Sequence, residues 1–306
     1  MAAVGRVAPA VLRVRRGLPG FYTQDSCPLR RAPPRTIRTL RMTVSIAPGT
    51  EHLMSLHGKK GLIVGIANES SIAYGCAAMF RAAGAELAVT YLNAKAEPYV
   101  RPLAERLESP IIVPCDVREP GQLEAVFARI REDWGRLDFL LHSIAYAPKE
   151  DLHSRVTDCS QAGFAMAMDV SCHSFIRMAR LAEPLMAHGG CLLTVTFYGS
   201  EKVVEDYNLM GPVKAALESA VRYMAVELGP KRIRVHALSP GPLKTRAASG
   251  IERFDELLER ARARTPEHRL VSIEDVGNLA TFLASDAASS LTGNVEYIDA
   301  GYHILD

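Results

Sequence analysis

From Leu56 onward, short apolar runs alternate with longer amphipathic stretches, and turn residues mark each change. The run at 62–66 ends in a Gly/Asn/Ser-rich turn, after which a helix is predicted over 72–83 and stopped by Gly84. Further strands are predicted over 86–91, 111–115, 137–143, 191–197, 233–238 and 294–298. Between them a helical period predicts helices near 96–107, 121–134, 161–186, 207–228 and 273–283. Strands alternating with helices of this length build βαβ units and a mainly parallel sheet. The strand runs are apolar at nearly every position, as strands covered on both faces must be. No repeat, composition break or low-complexity linker interrupts the pattern after Leu56. One doubly wound α/β domain over 54–306 is expected, with about seven strands and helices on both faces.

Residues 1–53 lie outside this pattern. Positions 1–41 hold nine Arg, no Lys and a single acid, Asp25, so of the formal net charge of +2 the leader carries +8 and the remainder −6. An Arg-rich, acid-poor leader has the composition of a transit peptide. The alternatives are a disordered tail, or a true start at Met42 or Met54. With 48% hydrophobic and 23% charged residues, the composition is that of a globular protein and excludes a disordered, collagen-like or disulfide-dense chain. No stretch approaches the ~18 apolar residues of a membrane helix, and the body has no basic cluster suited to nucleic acid. Six cysteines without a C-x-x-C pair read as buried thiols in a reducing compartment, the cytoplasm, or an organelle if the leader is a transit peptide. The nine histidines show no metal-ligand spacing.

The candidate chemistry lies at the carboxyl ends of the strands, where open α/β sheets bind ligands. The first strand leads through Gly65-Ile66-Ala67-Asn68-Glu69-Ser70-Ser71 into a helix. The free N–H groups and positive dipole end of that helix suit a pyrophosphate, with Ser70 or Ser71 adding a hydroxyl. The G-x-G-x-x-G fingerprint is absent, so a plain capped turn is the competing reading. After the third strand Asp116 is placed to accept from an adenine amino group, or else to cap a helix. After the fourth, His142-Ser143-Ile144-Ala145 offers small residues along which a ribose and nicotinamide could lie, with His142 itself read as a structural histidine. Tyr207 and Lys214 are seven positions apart, two turns on one face of the predicted helix. The phenol can donate to a carbonyl oxygen as charge develops there, and the ammonium can hold ribose hydroxyls and stabilise the same charge.

These motifs resemble the short-chain dehydrogenase superfamily, a Rossmann-type fold, and within it the enoyl-[acyl-carrier-protein] reductase family of bacterial fatty-acid synthesis. The likeness rests on the wide Tyr207-x6-Lys214 spacing, the long loop Gly65-x5-Ser71-Ile72-Ala73, and the stretches 142–148, 207–211, 246–251 and 273–278. The resemblance implies reduction of the C2–C3 double bond of trans-2-enoyl thioesters on acyl carrier protein. NADH is the implied cofactor, with NADPH possible. Tyr207 would stabilise the enolate and Lys214 would bind the nicotinamide ribose. Gly65, Ser71 and Ile72 would hold the pyrophosphate side, and Asp116 and Val117 the adenine. Ser143, Ile144 and Ala145 would pack along the cofactor, and the Leu243 backbone would meet the carboxamide. Phe197, Ala145 and Ala247 are the implied substrate contacts, and a mobile lid is implied over about 243–266 with a Phe254/Leu257/Leu258 face. The resemblance further implies a homotetramer built on the helices near 161–186 and 207–228.

Two positions depart from the family pattern. Phe197 stands where a second tyrosine is usual, and Leu92 stands where a Gln or an acid would contact the adenine ribose. Both leave the Tyr207/Lys214 pair intact, so a changed substrate preference or rate is expected rather than inactivity. The competing readings are a carbonyl or ketoacyl reductase of the same superfamily, and a non-catalytic NAD-binding protein.

Overall fold

Seven runs rich in aliphatic residues form the strands β1 (Lys60–Val64), β2 (Glu86–Tyr91), β3 (Ile111–Pro114), β4 (Phe139–His142), β5 (Gly190–Val195), β6 (Ile233–Pro240) and β7 (Val295–Ile298). They belong to a computed structural model that describes residues 54–245 and 254–305. All six pairings are parallel, in the order β3-β2-β1-β4-β5-β6-β7. Connections run outward to one side from β1 and to the other from β4, so their carboxyl ends flank the switch point where such sheets open a crevice.

The α-helices among the described residues are α1 (Ile72–Ala82), α2 (Glu97–Arg106), α3 (Gln122–Trp134), α4 (Lys149–His153), α5 (Gln161–Met168), α6 (Ser174–Ala182), α7 (Met210–Leu228), α8 (Phe254–Arg264) and α9 (Ile273–Ala284). Because successive strand side chains point to opposite faces, Leu62 and Val64 of β1 join a core with α3, α6 and α7. Ile63 points the other way, into a core with α1, α2 and α9. The sheet is thus covered on both sides, which is why its strands carry so few polar residues. The five cysteines among the described residues are free thiols. Burial pushes Cys76 up to about 12 and Cys115 and Cys191 to about 11, so these three stay protonated and unreactive. No helix of the described residues is long and apolar enough to cross a membrane.

Helices α1 and α9 meet through two glycines. A Cβ on Gly75 would lie 2.5 Å from the carbonyl oxygen of Ile273, and one on Gly277 would lie 2.7 Å from that of Gly75. The contact is backbone on backbone, so neither position can yield by turning a side chain. A capping box fixes where α9 starts: Ser272 Oγ accepts from the Asp275 amide at 3.1 Å, and Asp275 Oδ2 accepts from the Ser272 amide at 2.9 Å.

Three of the expected elements differ from the structure. The helix expected over 161–186 is α5 and α6 joined by a π-helical turn, Asp169–His173, and closed by a 3-10 turn at Glu183–Leu185. The helix expected from Tyr207 starts at Met210, because Asp206 (φ 63°) and Asn208 (φ 39°) are left-handed and break the helical path there. The expected lid falls partly outside the described residues; within them it holds α8, whose Leu257, Leu258 and Ala261 are buried. Gly75→Ala is expected to lower stability by about 1–3 kcal/mol, seen as a lower urea midpoint with an unchanged slope.

Candidate active site

A cavity of about 350 Å³ opens beyond the carboxyl ends of β4, β5 and β6. Its walls include Ser143, Ile144 and Ala145 after β4, Thr196 and Phe197 after β5, and Pro240–Leu243 at the end of β6. Ile72, the first residue of α1, closes one side, and Tyr207 and Lys214 close another. The structure therefore gathers Tyr207, Lys214, Phe197, Ala145, Ser143, Ile144, Ile72 and Leu243 around one space. Gly65, Ser71, Leu92, Asp116 and Val117 lie outside these walls. They follow β1, β2 and β3 along the same edge of the sheet. Ala247 lies outside the described residues.

Tyr207 does not sit on the helix that carries Lys214. It lies in the turn before α7, where its carbonyl accepts from the Met210 amide at 3.1 Å and its own amide donates to Val204 at 3.2 Å. The turn still presents both side chains to the cavity. The Tyr207 ring meets Phe197 edge to face, with centroids 4.9 Å apart. Burial raises the phenol well above its ordinary value, and the charge of Glu218 adds to the shift, so Tyr207 is a proton donor at neutral pH. Tyr198 cannot supply the hydroxyl missing at Phe197. It is not among the cavity walls and packs against Tyr302 at 5.7 Å.

Lys214 is 6% exposed, and its Nζ donates to the Val195 carbonyl at 2.7 Å. Burial brings its pKa down to about 8, against the opposing pull of Cys172 and Glu218. Behind it His142 is fully buried and held at both ring nitrogens, by Thr194 Oγ1 and Ser174 Oγ, each at 2.8 Å. Ser174 Oγ gives its proton to the Val170 carbonyl at 2.7 Å. It must therefore accept from His142 Nε2–H, which leaves Nδ1 to accept from Thr194. Burial, with the Lys214 charge behind it, pushes His142 down to about 3, so it is a neutral structural link between β4, β5 and the start of α6.

The residues fit a nicotinamide dinucleotide. Gly65 takes φ 121°, and a Cβ there would lie 2.1 Å from the Ser143 carbonyl oxygen, so its bareness lets the end of β1 close against the end of β4. The next segment enters α1, whose first turn leaves N–H groups without intrahelical acceptors. Two polar groups differ from expectation. The Ser71 hydroxyl is spent inside the loop, accepting from the Ala67 and Asn68 amides at 3.0 Å and donating to Asn68 Oδ1 at 3.2 Å. The Asp116 carboxylate is clasped by Arg118, through Nε at 3.0 Å and Nη2 at 2.6 Å, and held below the usual carboxylate range by that contact. Leu92 is half exposed and offers no polar group to a ribose. Nothing in the residue pattern marks Leu152 and Val195 as cavity walls; Leu152 arrives on the five-residue α4, which the hydrophobic periodicity does not announce.

A family model described as enoyl-(acyl carrier protein) reductase matches residues 65–303. The chain belongs to this family. It is 46% identical over 250 residues to enoyl-[acyl-carrier-protein] reductase [NADH] 1 of Rhizobium meliloti, covering 82% of this chain and 92% of that protein. The crystal structure of the NADH enoyl-[acyl-carrier-protein] reductase of Aquifex aeolicus superposes with a TM-score of 0.79 at 46% identity, over 82% of this chain and 98% of that one. The enzyme of Anaplasma phagocytophilum, solved in complex with NAD, matches with a TM-score of 0.79 at 44% identity, over 82% and 95% of the two chains. For a reductase of this family, the glycine at the β1–β4 junction is open to a direct test. Gly65→Ala is expected to weaken NADH binding at least about tenfold, by a clash and a strained φ, while circular dichroism reports a folded protein.

Proposed function

We propose that this chain reduces the C2–C3 double bond of trans-2-enoyl thioesters on acyl carrier protein, with NADH as reductant. The observation that carries the reading is the placement of a neutral buried phenol and a buried ammonium on the wall of one mostly apolar cavity, at the switch-point edge of a dinucleotide-type sheet. Bound NADH would supply a hydride to C3, and a proton taken up at C2 would turn the resulting enolate into the saturated thioester. Gly65, the first turn of α1, and Ser143–Ala145 would hold it, with Asp116 and Val117 at the adenine end and Leu243 at the carboxamide.

The rest is the work of the chain's own groups. Tyr207 donates a hydrogen bond to the thioester carbonyl oxygen and stabilises the enolate charge that develops there. Burial suits this role, because a phenol with a raised pKa keeps its proton until charge on the oxygen draws it. Lys214 holds ribose hydroxyls and adds a positive field on a mostly apolar wall. Phe197 and Ala145 provide an apolar wall for the enoyl chain. The hydroxyl of Ser200, the nearest serine before Tyr207, donates to Glu218 Oε1 at 2.6 Å and is turned to that side chain, which counts against the carbonyl-reductase alternative.

Acyl carrier protein is acidic, and the exposed Arg262 and Arg264 of α8 support its approach to the lid side. A homotetramer built on α5–α6 and α7 belongs to the same reading. It is supported by the exposed apolar side chains Phe164, Met166 and Ile176 on the first pair and Tyr223 and Val226 on the second.

The protein is expected to oxidise NADH with crotonyl thioester and not with acetoacetyl thioester; turnover of the ketone alone would overturn the assignment. Tyr207→Phe should lower kcat by about a hundredfold or more with NADH binding nearly kept. Because Lys214 is a cation only below about 8, kcat/KM should fall as pH rises through that value, and Lys214→Ala should lose both the NADH affinity and this alkaline limb.

A further inference from the structure

Glu218 lies one turn beyond Lys214 on α7 and is 5% exposed. The reaction chemistry above makes no use of it. Its Oε1 accepts two hydroxyls, from Thr196 at 2.5 Å and from Ser200 at 2.6 Å. Lys214 holds the carbonyl of Val195, immediately before Thr196. Two side chains of one helix thus grip the exit of β5 at residues 195, 196 and 200, and Phe197 is the aromatic wall between those grips. A buried carboxylate is costly unless hydrogen bonds and a nearby cation offset it. The hydroxyls supply the first and Lys214 the second.

We propose that Glu218 is a positioning residue of the reductase, pinning the segment that carries Phe197 and balancing the Lys214 ammonium beside the cavity. The proposal rests on the reading of Lys214 as the group that holds the dinucleotide. The charge enters through the surroundings of Lys214, which are few. Glu218 faces it from α7, Cys172 from the π turn and His142 from β4. Burial raises Cys172, so the thiol is neutral where the ammonium titrates, and His142 is neutral throughout that range. Glu218 is therefore the one full anion among these groups. Its charge also reaches Tyr207 in the turn before α7 and Tyr297 on β7, whose hydroxyl is bonded to Glu201.

The test separates charge from hydrogen bonding. In Glu218→Gln the amide oxygen can still accept both hydroxyls while the charge is gone. The alkaline limb of NADH affinity, followed by cofactor fluorescence against pH, is expected to move down by about half a unit or more, with the KM for crotonyl thioester close to that of the unaltered enzyme. Ser200→Ala, a mild change on a half-buried residue, leaves the charge and removes one grip. It is expected to raise that KM several-fold with the limb unmoved. An unmoved limb in Glu218→Gln, or an unchanged KM in Ser200→Ala, overturns the corresponding half of the proposal. An unaltered enzyme that binds NADH but does not reduce crotonyl thioester would instead sink the assigned reaction, while the limb still reads the Glu218–Lys214 coupling. One that binds no NADH sinks both.

Discussion

The structure is arranged around a cation removed from water. The ammonium of Lys214 sits on the wall of a mostly apolar cavity, where it forfeits most of its hydration, and the fold has to return part of that loss. It does so with a backbone carbonyl at the end of β5 and a carboxylate one turn along the same helix. What remains uncompensated shows as a proton held less tightly than on an ordinary lysine, with a pKa of about 8. A group in that state stays charged at neutral pH, yet its field is little screened, which is the condition under which a single cation can steer a reaction.

The second polar group on this wall follows the opposite rule. Burial keeps Tyr207 neutral, so the same apolar surroundings that weaken the lysine's hold on its proton strengthen the phenol's. A neutral donor beside a fixed cation is a division of labour set by environment: one side chain offers a proton, the other a field. His142, although it stands at the end of β4 and could be mistaken for the acid, is removed from the chemistry by the same physics. Full burial and two hydroxyl partners leave it uncharged and immobile, joining the strands on which the cavity rests.

Much of this is legible in the amino-acid sequence, for reasons that can be stated residue by residue. Strands buried on both faces, such as the run Leu62-Ile63-Val64, announce themselves because no position can be polar. The Tyr207/Lys214 spacing is visible as a motif, although its geometry is not. The side chains converge because left-handed residues at 206 and 208 fold a turn ahead of α7, and not because a helix runs through both. The π turn inside the 161–186 segment is hidden, since its residues Asp169–His173 include neither a glycine nor a proline to mark a break. Asp116 shows the opposite limit. Its place at a strand end is readable, but its capture by Arg118 two residues later depends on how the loop turns, which no periodicity encodes. Glu218 is hidden for another reason: a single acid on a helix ordinarily means a solvated face, and only the packing of α7 against β6 and the turn at Tyr198–Ser200 turns it inward.

The departure at Phe197 is best understood through that packing. A tyrosine there would bring a second hydroxyl to the cavity, and a buried hydroxyl needs a partner or substrate to bond. Phe197 instead meets the Tyr207 ring edge to face, a contact that favours a fixed angle between two aromatic planes and adds no hydroxyl beside that of Tyr207. The wall becomes more apolar at the point where an acyl chain would pass, while Tyr207 and Lys214 keep their places on it. Since one grip on either side of Phe197 belongs to Glu218, the orientation of the wall and the charge state of Lys214 are held by a single carboxylate. Substrate fit and electrostatics therefore meet at one side chain in this protein: the carboxylate of Glu218 serves both the segment at 196–200 and the field beside Lys214, although a neighbouring change such as the loss of one hydroxyl touches only the first.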